Sequence, residues 1–184
     1  MKKIAGLALT FVMAMGLLAG CGSKESSQPA ANNAKANETK TADAVTSASV
    51  VNSNDAFLKG IGPNGTWIIA TLNDLTFDQE LVLEGDFTNK DAKARKIALY
   101  TQDENRKITA SFKLTAPKLT VKSENSRIQG GTFVGDVYVE SKGFKLVDAT
   151  IEGNLYFASE ELKATFDGSE NGKVTGVTEV KASN

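Results

Sequence analysis

Histidine is absent from the 184 residues of this sequence, and Cys21 is its only cysteine. Without histidine, the chain has no imidazole acid or base and no Ser-His or Cys-His catalytic pair. Zinc sites need clusters of cysteine and histidine, and a disulfide within one chain needs a second cysteine, so both are excluded. Carboxylates are left as the candidates for acid–base chemistry, and we expect no metal and no cofactor.

A basic surplus is also absent. The sequence has 21 basic and 22 acidic residues. It has no run of lysine or arginine interleaved with aromatic residues, which single-strand nucleic-acid binders have. We therefore expect no nucleic acid among the partners.

The longest apolar run, residues 4–18, follows Lys2 and Lys3. It is too short to span about 30 Å of hydrocarbon comfortably as a helix, and its basic start is typical of a secretory signal peptide. The residues Leu18-Ala19-Gly20-Cys21 resemble the lipobox of bacterial lipoproteins. This resemblance implies that the signal peptide, residues 1–20, is removed and that Cys21 becomes the lipid-modified N-terminus.

The expected organisation therefore has three parts. After the signal peptide, residues 21–55 are rich in Ala, Asn, Ser, Thr and Lys and contain no aromatic residue. Such a segment cannot bury enough apolar surface to fold, so we expect a lipidated, disordered tether. Residues 56–184 are long enough for one domain with a modest core. The lipid anchor would hold this domain on the extracytoplasmic face of the cell membrane.

Short alternating runs rich in β-branched residues recur from Trp67 onward, which favours strands over helices. We expect an all-β domain with a polar hairpin turn at residues 102–107. Residues 91–96 are expected to form a short helix or a loop. For residues 67–112, irregular strands with a hairpin and a β-sandwich of meandering hairpins explain the pattern about equally well.

An internal repeat dominates the second half of the domain. Residues 132–139 align without gaps to residues 150–157, and residues 174–180 form a looser third copy that keeps the glycine. The runs 119–121, 144–146 and 162–166 are expected to supply a second strand type between the copies. Short coils of this size bury their apolar faces only by stacking, so Phe133 should lie over Ile151 and Val137 over Leu155.

The repeated pattern is Phe133-Val134-Gly135-Asp136-Val137 and Ile151-Glu152-Gly153-Asn154-Leu155. It resembles the coils of the bactofilins, polymer-forming cytoskeletal proteins, and the resemblance covers residues 119–180. It implies a right-handed, single-stranded β-helix-like solenoid in the C-terminal half. Self-association by coil stacking is a further implication.

Two sets of outward residues are candidates for function. Tyr138 and Tyr156 occupy equivalent repeat positions and would lie side by side, where they either bind a sugar ring or a partner surface or shield the sheet. Asp136, Asp148, Glu152 and Asp167 are the carboxylates from which a glycan-cleaving pair would have to come. Residues 167–172 form either a plain turn or a calcium loop.

The sequence thus predicts a membrane-anchored extracytoplasmic lipoprotein with a non-enzymatic structural or surface-binding role, with or without self-assembly. The alternatives are a carbohydrate- or protein-binding surface module and, less favoured, a glycan-active enzyme. The expected partners are the membrane through the lipid anchor, a second copy, or a cell-envelope glycan or protein.

Overall fold

Strands make up about half of residues 48–182, which are the residues that this computed structural model describes. The all-β prediction is confirmed. In chain order the elements are β1 (Ala48–Val51), α1 (Asn54–Ile61), β2 (Ile68–Thr71), β3 (Leu75–Thr76), β4 (Leu81–Leu83), β5 (Thr88–Asn89), β6 (Ala92–Lys93), β7 (Arg95–Ala98), β8 (Tyr100–Gln102), β9 (Ile108–Ser111), β10 (Lys113–Val121), β11 (Ser126–Gln129), β12 (Thr132–Val139), β13 (Lys145–Val147), β14 (Thr150–Glu152), β15 (Leu155–Phe157), α2 (Glu160–Ala164), β16 (Asp167–Glu170), β17 (Lys173–Val174) and β18 (Thr178–Val180).

Two parallel sheets carry the architecture. Sheet A has six strands in the order β1-β2-β7-β11-β13-β16. Sheet B has eight strands, in which β10 and β12 are long strands flanked by the shorter pairs β3 and β4, β14 and β15, and β17 and β18. From β2 onward the chain passes alternately through the two sheets, and we call each pass a coil. Each coil pairs with the one before it, so the coils stack.

The repeat alignment matches the strand register. Phe133 pairs with Ile151 and Val137 with Leu155, eighteen residues apart. The third copy is in register as well, because Ile151 pairs with Val174. The inward side chains Phe133, Val137, Ile151 and Leu155 have no exposed surface. The predicted apolar columns are therefore confirmed, and the right-handed, single-stranded β-helix-like solenoid stays a prediction.

Stacking begins well before residue 119. Leu114 pairs with Leu75 and Ile69 with Ile97, both in parallel strands. The irregular strands with a hairpin that were predicted for residues 67–112 therefore belong to the same stack, and the β-sandwich alternative is wrong, because antiparallel pairing there is confined to β5–β6 and β8–β9. These two hairpins are insertions that lengthen the coils and hide the repeat in the sequence. The turn between β8 and β9 was predicted correctly.

Three local predictions are wrong. Residues 91–96 form neither a helix nor only a loop, because Ala92–Lys93 is strand β6 and Arg95, which is 1% exposed, begins strand β7. Residues 119–121 are not a second strand type, because Leu119 pairs with Val137 and so belongs to the same column as the repeat. Residues 162–166 lie largely in helix α2, whose N-terminus is capped by the Ser159 side chain. The second-type strand of that coil is β16.

The ordered part of the chain starts earlier than expected. Strand β1 and the first two residues of helix α1 lie in the predicted tether, residues 21–55. Ser53 caps α1 by accepting a hydrogen bond from the Ala56 N–H, and Phe57 and Ile61 are buried on one face. The signal peptide, Cys21 and the tether up to residue 47 lie outside the described residues. Neither α1 nor α2 is long and apolar enough to cross a membrane.

Candidate functional site

Sheet B bends sharply in the middle of its long strands. In β10 the bend falls at Pro117, where one extra residue shifts the register against β12. In β12 it falls at Gly135, whose φ is +135°. A Cβ atom on Gly135 would overlap the carbonyl oxygen of Ala116 on the preceding coil. Position 135 therefore requires glycine, because the neighbouring strand leaves no room for a Cβ atom.

The bend forms an open groove on the outer face of sheet B, with a volume of about 520 Å³. We call it the bend groove. Its floor includes the half-buried side chains Thr115 and Val134, and its edges carry the exposed side chains Asp78 and Glu152. The lining consists of Thr76, Phe77, Asp78, Thr115, Ala116, Pro117, Val134, Gly135, Asp136, Glu152 and Gly153. It spans four neighbouring coils and mixes apolar, hydroxyl and carboxylate groups.

Asp136 stabilises the wall of this groove. Its Oδ1 accepts hydrogen bonds from the backbone N–H of Asn154 at 2.9 Å and from the Asn154 side-chain amide at 3.0 Å. Asn154 repeats the arrangement, because its Oδ1 accepts from the backbone N–H of Val177 at 3.0 Å. The polar residue after each repeat glycine therefore links one coil to the next, in addition to facing outward as predicted.

The four carboxylates considered for glycan cleavage do not share one site. Asp136 and Glu152 both line the bend groove, but Glu152 lies 3.9 Å from the ammonium group of Lys113. Asp148 accepts a hydrogen bond from the Asn171 side chain, outside the groove lining. Asp167 lies on sheet A, where hydrogen bonds from Ser169 and then Lys145 hold its pKa below the usual range. That shift is opposite to what a general acid needs.

Residues 167–172 comprise strand β16 and the turn that follows it. Asp167 Oδ1 accepts hydrogen bonds from the Ser169 backbone and hydroxyl, at 3.0 and 2.6 Å. In the described part of the chain, no three His, Cys, Asp or Glu side chains come together as a metal site requires. The segment therefore has the contacts of a structural strand and turn.

Tyr138 and Tyr156 lie side by side on paired strands, as the repeat predicts. They do not form an exposed aromatic row, because Tyr138 is only 8% exposed and its hydroxyl donates to the backbone oxygen of Lys181 at 2.9 Å. The Lys181 ammonium group lies 4.7 Å from the centre of the Tyr156 ring. Ligand binding at these two tyrosines stays a prediction. The alternative, in which the tyrosines shield the sheet, agrees with these contacts.

Most residues of the bend groove were missed from the sequence. Val134 and Glu152 are equivalent positions of the repeat, so their common outward face was readable. Thr115 and Thr76 pair with each other in the same row, and Thr115 pairs with Val134. The two hairpin insertions separate the equivalent positions of this row in the sequence. Aligning the repeat upstream, with gaps at the insertions, would have identified the groove residues.

No protein-family model, curated protein or solved structure matches this chain. Inferences about its function therefore depend on its own residues and geometry.

Proposed function

We propose that this protein is a lipid-anchored lipoprotein on the extracytoplasmic face of the cell membrane, with a non-enzymatic role in surface binding or structure. Its anchor is the acylated Cys21 that the lipobox-like residues 18–21 imply. The domain that begins by residue 48 is the part that meets the partner. One surface of that domain binds the partner, and the residues that line this surface indicate the chemistry of the partner.

The bend groove is the proposed binding surface, and the observation that carries this proposal is its continuity across four coils. Neighbouring strands in a sheet are about 4.8 Å apart, so equivalent side chains recur at that spacing along the groove. A row of this kind suits an extended polymer that lies across the strands. It suits a compact metabolite less well, because the groove is open to solvent along its length.

The chemistry of the lining favours an envelope glycan as that polymer. Thr76 and Thr115 offer hydroxyl groups, and Asp78 offers carboxylate oxygens, all of which pair with sugar hydroxyls. Val134 and Pro117 supply apolar surface for the C–H face of a sugar ring. A mostly apolar floor with a few placed polar groups is the usual composition of a ligand site.

Two contacts favour binding over cleavage. Asp136 is engaged in joining two coils, and Glu152 has the Lys113 cation close by. Retaining and inverting glycosidases need one carboxyl group that stays protonated near neutral pH, beside a second that is ionised. These structural contacts of the two carboxylates support the proposed binding role.

A single substitution in the groove tests this function. The protein to use is the chain from residue 21 onward with Cys21→Ser, which removes the acylation site. In that background, Val134→Arg places a long cation on the floor of the groove and should weaken binding of N-acetylglucosamine oligomers at least about tenfold. Isothermal titration calorimetry against oligomers of increasing length measures the change.

The matched control is Val50→Arg, which makes the same change at a 51% exposed position on sheet A. It should leave oligomer affinity unaltered. Equal loss of affinity in both variants would count against the groove. Absence of binding by the unsubstituted groove, to glycan oligomers and to isolated envelope material alike, would overturn the proposed function.

A further inference from the structure

The two ends of the coil stack differ in how far their terminal strands are covered. At the N-terminal end, helix α1 covers the edge of sheet B: the Phe57 ring lies 5.5 Å from that of Phe77, and the Asn54 side chain donates to the Thr76 oxygen at 2.7 Å. The Glu84 N–H also donates to the Ile61 oxygen. Helix α1 therefore covers the sheet B edge at this end, whereas β1 is the edge strand of sheet A and pairs with β2 alone.

The other end is open among the described residues. Strands β16, β17 and β18, which we call the terminal coil, are the last strands of their sheets and pair on one side only. Val174 and Val180 are half-buried, whereas their partners one coil earlier, Ile151 and Phe157, have no exposed surface. Val177 is 49% exposed. Apolar columns that are fully covered elsewhere therefore reach solvent here.

The free edge of β18 has a defined hydrogen-bonding pattern. The Lys181 N–H donates to the Phe157 oxygen, and the Val177 oxygen accepts from the Leu155 N–H. Successive residues of a strand direct their backbone groups to opposite sides, so the N–H and C=O of Thr178 and Val180 point away from β15. They are positioned to pair with another strand.

The charged residues of β18 determine which strand can pair with its free edge. Glu179 and Lys181 flank Val180 on the outer face and are both exposed. Antiparallel pairing of β18 with a second β18, centred on Val180, sets Glu179 of each copy opposite Lys181 of the other. The central Val180 pair then exchanges both of its backbone hydrogen bonds. In-register parallel pairing would set like charges beside each other, which destabilises a sheet.

We propose that the terminal coil binds a second copy of this chain through antiparallel β18 pairing, which gives a two-fold dimer. Because this two-fold pairing uses the β18 edge of both copies, it closes at two chains and leaves no second β18 edge from which a filament could continue. The apolar columns of the two copies become continuous across the interface. This inference is independent of the bend groove, which lies on the outer face of sheet B.

The test uses sedimentation velocity across a concentration series, on the chain from residue 21 onward with Cys21→Ser. The expected species are monomer and dimer. Glu179→Lys and Lys181→Glu should each weaken the dimer at least about tenfold, because each sets two like-charge pairs across the interface. The double variant, Glu179→Lys with Lys181→Glu, restores opposite charges and should recover most of the affinity.

The control is Lys107→Glu, in the loop between β8 and β9. It changes the net charge as Lys181→Glu does but lies outside the terminal coil, so this variant should dimerise as the parent does. A monomer at every concentration would overturn the proposal. Species larger than a dimer would overturn the closed two-fold arrangement. A dimer that tolerates both single reversals, or that the double variant fails to recover, would overturn the β18 pairing.

Discussion

Individual residues at the bend of sheet B carry out tasks that composition alone does not reveal. Gly135 and Gly153 allow successive strands to approach so closely that a Cβ atom would overlap a carbonyl oxygen of the preceding coil. Asp136 and Asn154, which follow them, satisfy backbone N–H groups of the next coil or of its turn. The Gly-Asp/Asn pair of the repeat is therefore a device that joins coils, and it also shapes the wall of the bend groove.

The glycine requirement gives a prediction at this scale. Gly135→Ala should lower the free energy of unfolding by about 3 kcal/mol or more, because the new Cβ meets backbone and the φ of +135° strains an L-residue. Urea unfolding followed by circular dichroism measures it.

The control for that substitution is Gly62→Ala. Gly62 has an ordinary φ of −72°, and a Cβ there would lie 3.6 Å from its nearest atom. It should change stability by less than about 1 kcal/mol. Similar effects of the two alanines would show that the close approach at Gly135 is not the source of the destabilisation.

Among the elements, helix α1 depends on a side chain that comes from sheet A. Arg95 of β7 is almost fully buried, and its Nη2 donates to the oxygens of Gly60 and Gly62 at 2.8 and 3.0 Å, at the C-terminal end of α1. The guanidinium carbon lies 3.8 Å from the centre of the Phe87 ring. Burial lowers the pKa of Arg95 to about 10, so the group is still charged at neutral pH. It holds the helix against the first coils.

Removing this side chain should loosen the helix first. Arg95→Ala is expected to lower the free energy of unfolding by about 2–4 kcal/mol, since two hydrogen bonds to a charged donor and the packing of its stem are lost. The Arg95 Nε and Nη1 atoms make no hydrogen bond, which keeps the loss from being larger. Hydrogen exchange of the α1 amides, with denaturant unfolding, measures both effects.

Arg127→Ala is the control, because Arg127 lies on the neighbouring strand β11 and is only half-buried. It should leave exchange in α1 close to that of the parent. If α1 exchanges equally fast in both variants, Arg95 does not act as the anchor of this helix.

The same element shows where sequence reasoning fell short. Residues 48–55 are rich in small and polar residues, which indicated a tether, and an eight-residue helix is too short to be stable alone. It forms because Phe57 and Ile61, four residues apart, pack on the end of the core. The Ser53 cap and this spacing were readable, but the surface that they cover is made by later coils.

At the scale of the whole molecule, we propose that the position of the protein in the cell depends on Cys21. Cys21→Ala should abolish incorporation of a radiolabelled fatty acid and move the protein out of the membrane fraction, because the thiol is the proposed site of acylation. Expression in a bacterium, followed by membrane fractionation, measures both outcomes. Multiple acyl chains are needed for a durable anchor, so the loss should be nearly complete.

Ser23→Ala lies outside the lipobox-like residues and serves as the control. It should be labelled and retained on the membrane like the parent. Retention of the Cys21→Ala protein on the membrane, with no label, would place the anchor elsewhere in the chain.

The sequence by itself determined the all-β class, the eighteen-residue register and the apolar columns. These follow from the local alternation of apolar and polar residues and from a gap-free repeat, both of which depend on residues close together in the sequence. The extent of stacking, the bend groove and the difference between the two ends were decided only by tertiary structure. Insertions between Leu75 and Leu114 hide equivalent positions, and the burial of Arg95 and Tyr138 comes from residues far away in the chain.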